Sequence, residues 1–465
     1  MRQHRVSSLS RRARLRLLLR RILRRDTSSP KLLLLAALAG LLTGLICCGF
    51  EWLLDELVAR RLGVLQALPD LWRWSAAFVS GAVLAGFAIW LAQRFAPEAG
   101  GSGIPEIEGA LEGLRPVRWA RVLPVKFVGG LAALGSGMML GREGPSVQIG
   151  GNIGAMVATL ESKSADSRHA LLAAGAAAGL TAAFNAPLAA ILFVLEELRA
   201  QFRYSFVSVK AVSVAVISAT LVRHALMGDK PIFAMPELTA PPLTHLSAYL
   251  LLGCLAGVMG TLLNRLVGWG QDAYLRWHAG RRMVLVLTVA LFGGVFGLLS
   301  LTNLGWHGGG MVQIPQWMTV PLPLQLLLAL LLWRTLGTLI CFCSGIPGGI
   351  FAPLLALGTL LGVVWAHSLG LWFPELLDQQ MALGLVGMSA LFAASVRAPV
   401  TGILLVTEMS NNFNLILPMM LATLGATLVA QALGGKPLYS QILARTLRLA
   451  QWQQNSRHAP GAENT

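Results

Sequence analysis

The chain has 465 residues, of which 55% are hydrophobic and only 12% charged, and its mean hydropathy is +0.65. A soluble domain carries about twice that share of charge, and a β-barrel would show short alternating segments instead of long apolar runs, so the composition points to an all-α polytopic membrane protein. The formal net charge of +16 would suit nucleic-acid binding in a soluble protein, but here the charge is segregated and no nucleic-acid partner is expected.

Residues 1–28 hold arginines from Arg11 to Arg25 with Leu15, Leu18, Leu19, Ile22 and Leu23 between them. Read by the positive-inside rule, this is a basic cytoplasmic arm lying on anionic lipid. Residues 29–440 form the expected transmembrane domain, with halves of about 31–226 and 245–440, and 441–465 form a cytoplasmic tail. Residues 31–54 and 73–95 read as ordinary spans of about 20 or more apolar residues. The pattern then changes: Gly and Pro cut the apolar stretches near Gly100–Pro105, Gly141–Pro145, Asn185–Pro187, Gly345–Pro353 and Arg397–Pro399. Ordinary spans return near 206–227, 245–266, 284–304 and 324–342. Irregular backbone cannot face lipid unpaired, so the breaks must be buried or line a water-filled cavity, as in transporters that bind solute near the midplane. The expected architecture is a bundle of broken and tilted helices.

Loop charge sets orientation. Arg115, Arg118, Arg121 and Lys126 lie in one connection, Arg199 and Arg203 in a second, and Arg265, Arg276, Arg281 and Arg282 in a third. The 228–244 segment sets Lys230 against Asp229 and Glu237. The basic loops and both termini should be cytoplasmic and 228–244 outside.

The halves repeat. With Ala186-Pro187 aligned on Ala398-Pro399, Ala182, Ile191, Leu192, Val194 and Glu196 fall on Ala394, Ile403, Leu404, Val406 and Glu408. A second match sets Gly141 and Pro145 on Gly349 and Pro353. Two inverted repeats follow if each half has an odd number of spans.

Three breaks carry chemistry. In Gly101-Ser102-Gly103-Ile104-Pro105 the glycines turn amides toward a ligand, Pro suits the first helical turn, and the helix start carries partial positive charge. With the Ser102 hydroxyl these make a small-anion site without a full positive charge, which a lysine would make too tight for turnover. Gly141-Arg142-Glu143-Gly144-Pro145 places a carboxylate in a similar break, and an intramembrane ionisable group is functional by default. A bland reading has Arg142 and Glu143 pair with each other. The third break is Gly348-Gly349-Ile350-Phe351-Ala352-Pro353.

These motifs, in this order and followed by Tyr439 in Gly-Gly-Lys-Pro-Leu-Tyr-Ser, resemble the CLC chloride channel and transporter family over about residues 31–445, and most closely its bacterial proton-coupled members. The resemblance implies a CLC-type fold in a bacterial inner membrane, a homodimer with a pore in each subunit, and a proton/chloride antiporter rather than an enzyme. It needs no cofactor, chloride and protons being the substrates. It implies chloride coordination by the hydroxyls of Ser102 and Tyr439 and the backbone N–H groups of Ile350 and Phe351, and makes Glu143 the gating glutamate. It makes Glu197 the internal proton-transfer group; Glu196, which has Glu408 as its repeat counterpart, reads as scaffold. It places the dimer surface around 188–198, 206–225, 400–411 and 415–432, and Ser102 and Gly-Arg-Glu-Gly-Pro favour chloride over nitrate and fluoride. No nucleotide-sensing domain is expected after Tyr439.

The runner-up is a passive chloride channel of the same fold; Glu197 argues against it, since the family's channels lack that carboxylate. Gly100-Gly101-Ser102-Gly103 also fits a serine-nucleophile motif, but no histidine sits in a comparable break to activate it. Glu106, Glu108 and Glu112 read as a structural network with Lys126 as a partner, and Gly175 and Gly179 are spaced for close helix packing. Ser344-Gly345-Ile346-Pro347 reads as a turn before the third break. The five cysteines have neither zinc-finger nor redox spacing, and the histidines suggest no metal site.

Overall fold

A computed structural model describes residues 29–160, 164–198, 205–233, 235–302 and 305–458. The basic arm 1–28, the Arg199 and Arg203 connection and the last seven residues lie outside this set. Among the described residues there are seventeen α-helices and no strand.

The first half comprises α1 (Pro30–Ala67), α2 (Asp70–Phe95), α3 (Ile104–Leu111), α4 (Trp119–Gly135), α5 (Glu143–Ala158), α6 (Ala165–Phe184), α7 (Pro187–Glu196) and α8 (Phe206–Met227). The second comprises α9 (Leu246–His278), α10 (Arg282–Leu299), α11 (Ile314–Thr319), α12 (Leu324–Cys343), α13 (Phe351–Gly370), α14 (Gln380–Val396), α15 (Pro399–Ser410), α16 (Ile416–Ala432) and α17 (Leu438–His458). Eight of these segments have the length and hydropathy to cross a bilayer, whereas α7 and α15 have only 10 and 12 residues. At 1.5 Å per residue, α1 with its 38 residues is roughly 57 Å long. That exceeds the ~30 Å hydrocarbon core, so it must lean or project beyond it.

The breaks arise from local chemistry. Pro187 and Pro399 open α7 and α15, where a missing N–H costs nothing. Each is preceded by the same backbone path: Asn185 closes α6 at φ 51, ψ 38 and Arg397 closes α14 at φ 70, ψ 32, followed by Ala186 at −128, 77 and Ala398 at −120, 74. The repeat is therefore a repeat of backbone conformation as well as of residue type.

Its inversion is visible in two carboxylates. Glu196, at the carboxyl end of α7, accepts from the Val400 and Thr401 amides of α15 at 3.2 and 2.7 Å. Glu408 of α15 accepts from the Leu188 and Ala189 amides of α7 at 3.0 and 2.8 Å. Each short helix places its own carboxylate on the other's amino end, so the two run antiparallel. Negative charge at a helix amino end is favourable by about 0.3–1 kcal/mol, and more when partly buried.

Small residues bring the helices of the core close. Gly150 of α5 and Gly175 of α6 abut, and a Cβ on either would strike the other's backbone carbonyl; Gly179 meets Ser146 in the same way. The expected close packing at Gly175 and Gly179 is thus realised between α5 and α6.

Candidate functional site

The glycine-rich breaks are pinned to one another by backbone hydrogen bonds. Gly141 and Gly349 form an antiparallel bridge with N···O distances of 2.7 and 2.8 Å. The Gly101 amide donates to the Gly345 and Ile346 carbonyls at 3.0 and 3.1 Å, and Gly348 returns a bond to the Gly101 carbonyl at 3.1 Å. Gly101 and Gly103 have φ of 63° and 88°, a region closed to most side chains. The tetrapeptide Ser344–Pro347, read from sequence as a turn, is thereby also the strut that holds the first break.

Within this lattice Ser102 is 3% exposed and Tyr439 fully buried. Their hydroxyls lie close enough to act on each other, and among the described residues neither has a hydrogen-bond partner elsewhere. A buried donor without an acceptor costs about 1–3 kcal/mol. Two such donors side by side are a preorganised place for an acceptor that is not protein. Ile350 caps α13 and Phe351 opens it, both at 0% exposure. The first amides of α13 have no preceding carbonyl within its own ladder. The Phe351 ring packs on Phe184, Phe193 and Phe392 at centroid distances of 4.9, 6.2 and 4.6 Å, which fixes that helix start among α6, α7 and α14.

Glu143, at the start of α5, is 1% exposed. Its Oε2 accepts from the Ala352 amide of α13 at 3.3 Å. A carboxylate oxygen therefore sits where an anion would bind at that helix end. A Cβ at Gly141 would collide with the same oxygen, so only glycine leaves it room. Arg142 does not pair with Glu143. Its guanidinium turns to Glu51 of α1 at 2.6 Å, and Arg223 of α8 meets the other Glu51 oxygen at 2.8 Å.

Glu143 also lines a chamber of about 540 Å³, bounded by Asp55 and Arg61 of α1 and by His307 through Gln313. Ser102 and Tyr439 do not line it. The carboxylate thus stands between the chamber and the buried hydroxyls. Glu197, the C-cap of α7, is 7% exposed and does not line the chamber; it and Glu143 are the two carboxylates whose charges act on Tyr439.

Lys126 is completely buried, bonds the Ala99 and Gly101 carbonyls at 2.9 and 2.6 Å, and feels the Glu106 charge. It therefore supports the first break directly. Glu106 instead holds Arg115 through two bonds of 2.9 and 3.0 Å, and Glu108 accepts from Ser440, next to Tyr439, at 2.6 Å. Sequence reading missed Glu51, Arg223 and Arg334. Arg334 is fully buried in α12, donates to the carbonyls of Gly305, His307 and Gly308, and stacks 5.0 Å over Trp317. All three are ionisable groups inside apolar runs, and that property alone would have flagged them.

Residues 81–431 match the voltage gated chloride channel family. A protein of Salmonella paratyphi A named H(+)/Cl(-) exchange transporter ClcA is 50% identical over 452 residues, 96% of each chain. A Yersinia pestis protein of the same name is 51% identical over 433 residues, covering 92% of this chain and 91% of that one. Among solved structures, a slow cyanobacterial Cl-/H+ antiporter superposes with a TM-score of 0.86 at 37% identity, covering 90% of this chain and 99% of its own. A CLC-type fluoride/proton antiporter superposes at 0.71 with 20% identity, a likeness of fold alone.

Proposed function

The chain belongs to the voltage gated chloride channel family, and from that premise we propose that it is a proton-coupled chloride antiporter of the bacterial inner membrane, gated by Glu143, with Glu197 as the internal proton acceptor. One observation carries the reading: the Glu143 carboxylate occupies the amino end of α13, near two buried hydroxyls that have no partner among the described residues beyond each other.

In this mechanism chloride loses its water at the α13 amino end, held by the Ile350 and Phe351 N–H groups and the hydroxyls of Ser102 and Tyr439. No full positive charge is needed, so binding stays weak enough for release. An ionised Glu143 competes with chloride for those donors. A protonated Glu143 no longer does, swings out and admits the anion. Coupling follows because the residue that yields to chloride is the residue that has taken the proton. Glu197 receives that proton on the other side of Tyr439, reached from the cytoplasm by a route separate from that of chloride. The basic loops set that side as cytoplasmic, with both termini on it. Two copies are expected to pair through α7, α8, α15 and α16, whose outward residues include Leu188, Leu221, Val400, Leu424 and Leu428.

Purified protein in liposomes, with chloride efflux and proton uptake recorded together, tests this. The wild type should drive protons uphill on a chloride gradient. Glu143→Ala should keep chloride flow and lose proton movement and pH dependence. Uphill proton transport by that variant would refute the gate; chloride flow without protons in the wild type would make the protein a passive channel.

A further inference from the structure

The chamber above Glu143 has an asymmetric set of charges. Ile232 contributes to its wall, so it opens on the face of the 228–244 loop, opposite the basic loops. Its ionisable lining is Glu51, Asp55, Arg61, Arg142, Glu143 and His307. Most of these are committed. Glu51 is clamped between Arg142 and Arg223 at 2.6 and 2.8 Å. Arg61 is spent on the carbonyls of Ala77, Gly135 and Gly297 and on Ser80. His307 is held neutral: burial, with Arg334 and Arg61 behind it, pushes its imidazole down to about 4. Asp55 lies one turn beyond Glu51 on the same face of α1. It is exposed at the chamber's rim, and no ion pair or hydrogen bond holds it among the described residues.

We propose that Asp55 is a proton-collecting residue for the exchange reaction, carrying protons between bulk water on that face and Glu143 through water in the chamber. The transfer balances simply. Asp55 takes a proton from hydronium or a buffer acid, passes it through chamber water to the Glu143 carboxylate, and is left ionised for the next cycle. At about 540 Å³ the chamber has room for the waters this needs, and Glu51, Asp55, Arg142 and Glu143 are among the polar groups in its wall that can hold them.

The need is kinetic. At neutral pH free protons are about 0.1 µM, and at a diffusion limit of roughly 10⁹–10¹⁰ M⁻¹s⁻¹ they reach one buried carboxylate only about 10²–10³ times per second. A negative group at the mouth enlarges the capture target. An anion pathway has no other use for it, since an ionised aspartate repels chloride from the same mouth.

The inference rests on Glu143 as the proton-accepting gate, so the test separates the two. The full chain in liposomes is compared as wild type, Asp55→Asn and Asp55→Glu, each also on a Glu143→Ala background, at mildly alkaline pH with weak or strong mobile buffer. In weak buffer Asp55→Asn should slow coupled exchange about fivefold, as expected when proton capture limits turnover, at an unchanged proton-to-chloride ratio. Strong buffer should restore it, Asp55→Glu should match the wild type, and on the Glu143→Ala background Asp55→Asn should change nothing. A deficit that ignores buffer, a deficit that persists on the Glu143→Ala background, or faster chloride flow in every buffer would each overturn the inference and make Asp55 a structural or purely electrostatic group. Proton coupling that survives Glu143→Ala would instead remove the gate itself.

Discussion

Ser102 and Tyr439 each offer one O–H to a desolvated anion. Removing either by Ser102→Ala or Tyr439→Ala should weaken chloride binding by about 1.5–3 kcal/mol, roughly ten- to hundredfold in Kd. Calorimetry showing unchanged affinity in both would remove them from the site. Glu197 and its neighbour separate two roles one residue apart. Glu197→Gln should abolish proton flux while chloride still moves, whereas Glu196→Gln should leave the coupling ratio intact, because Glu196 is bound to the amides of α15. Selective loss of proton flux in Glu196→Gln would reverse the assignment. The breaks that hold Ser102, Glu143 and residues 350–351 were legible in sequence because Gly and Pro mark each interruption, where backbone groups must find partners; the roles expected of these residues and of Tyr439 came from the family resemblance. The pairing of Glu51 with Arg223 was not legible. Their ion pair joins residues 172 apart, and nothing local in an apolar run names a partner at that distance. For Lys126 a carboxylate neighbour was legible, but the carbonyls of the first break, which stand near it only in space, were not.

At the level of elements, the reciprocal caps between α7 and α15 carry the fold's symmetry. Glu196→Gln and Glu408→Gln should each lower stability by about 0.5–2 kcal/mol, the usual range for losing a helix cap. Thermal unfolding in detergent should register both. If neither melting point moves, the carboxylates are not caps in any energetic sense. The alignment of Glu196 with Glu408 could be read from the chain, as could the paired Gly-to-Pro breaks. That each residue serves the opposite half could not, since alignment reports equivalence and not contact. The matching dihedrals at Asn185-Ala186 and Arg397-Ala398 explain why the breaks recur although the residue before each Ala-Pro differs. The left-handed turn is set by the need to close one helix before the next begins.

For the whole molecule, the family resemblance sets the expectation of a dimer through α7, α8, α15 and α16, whose outward faces are apolar. Crosslinking in lipid should trap two copies through these helices, and a monomer under the same conditions would refute the interface. Both pairs of capping bonds span the chain: Glu196 reaches forward 204 and 205 residues and Glu408 reaches back 219 and 220. The first half therefore leaves the ribosome with the amino end of α7 bare and the Glu196 carboxylate unmatched. Neither defect is repaired until the second half has been inserted. Biogenesis is thus a waiting problem: the early half must be sheltered in the bilayer as an incomplete object, and stalled or truncated chains should be recognised and degraded by membrane quality control. Made as two separate polypeptides, the halves should each be short-lived alone and survive only when produced together.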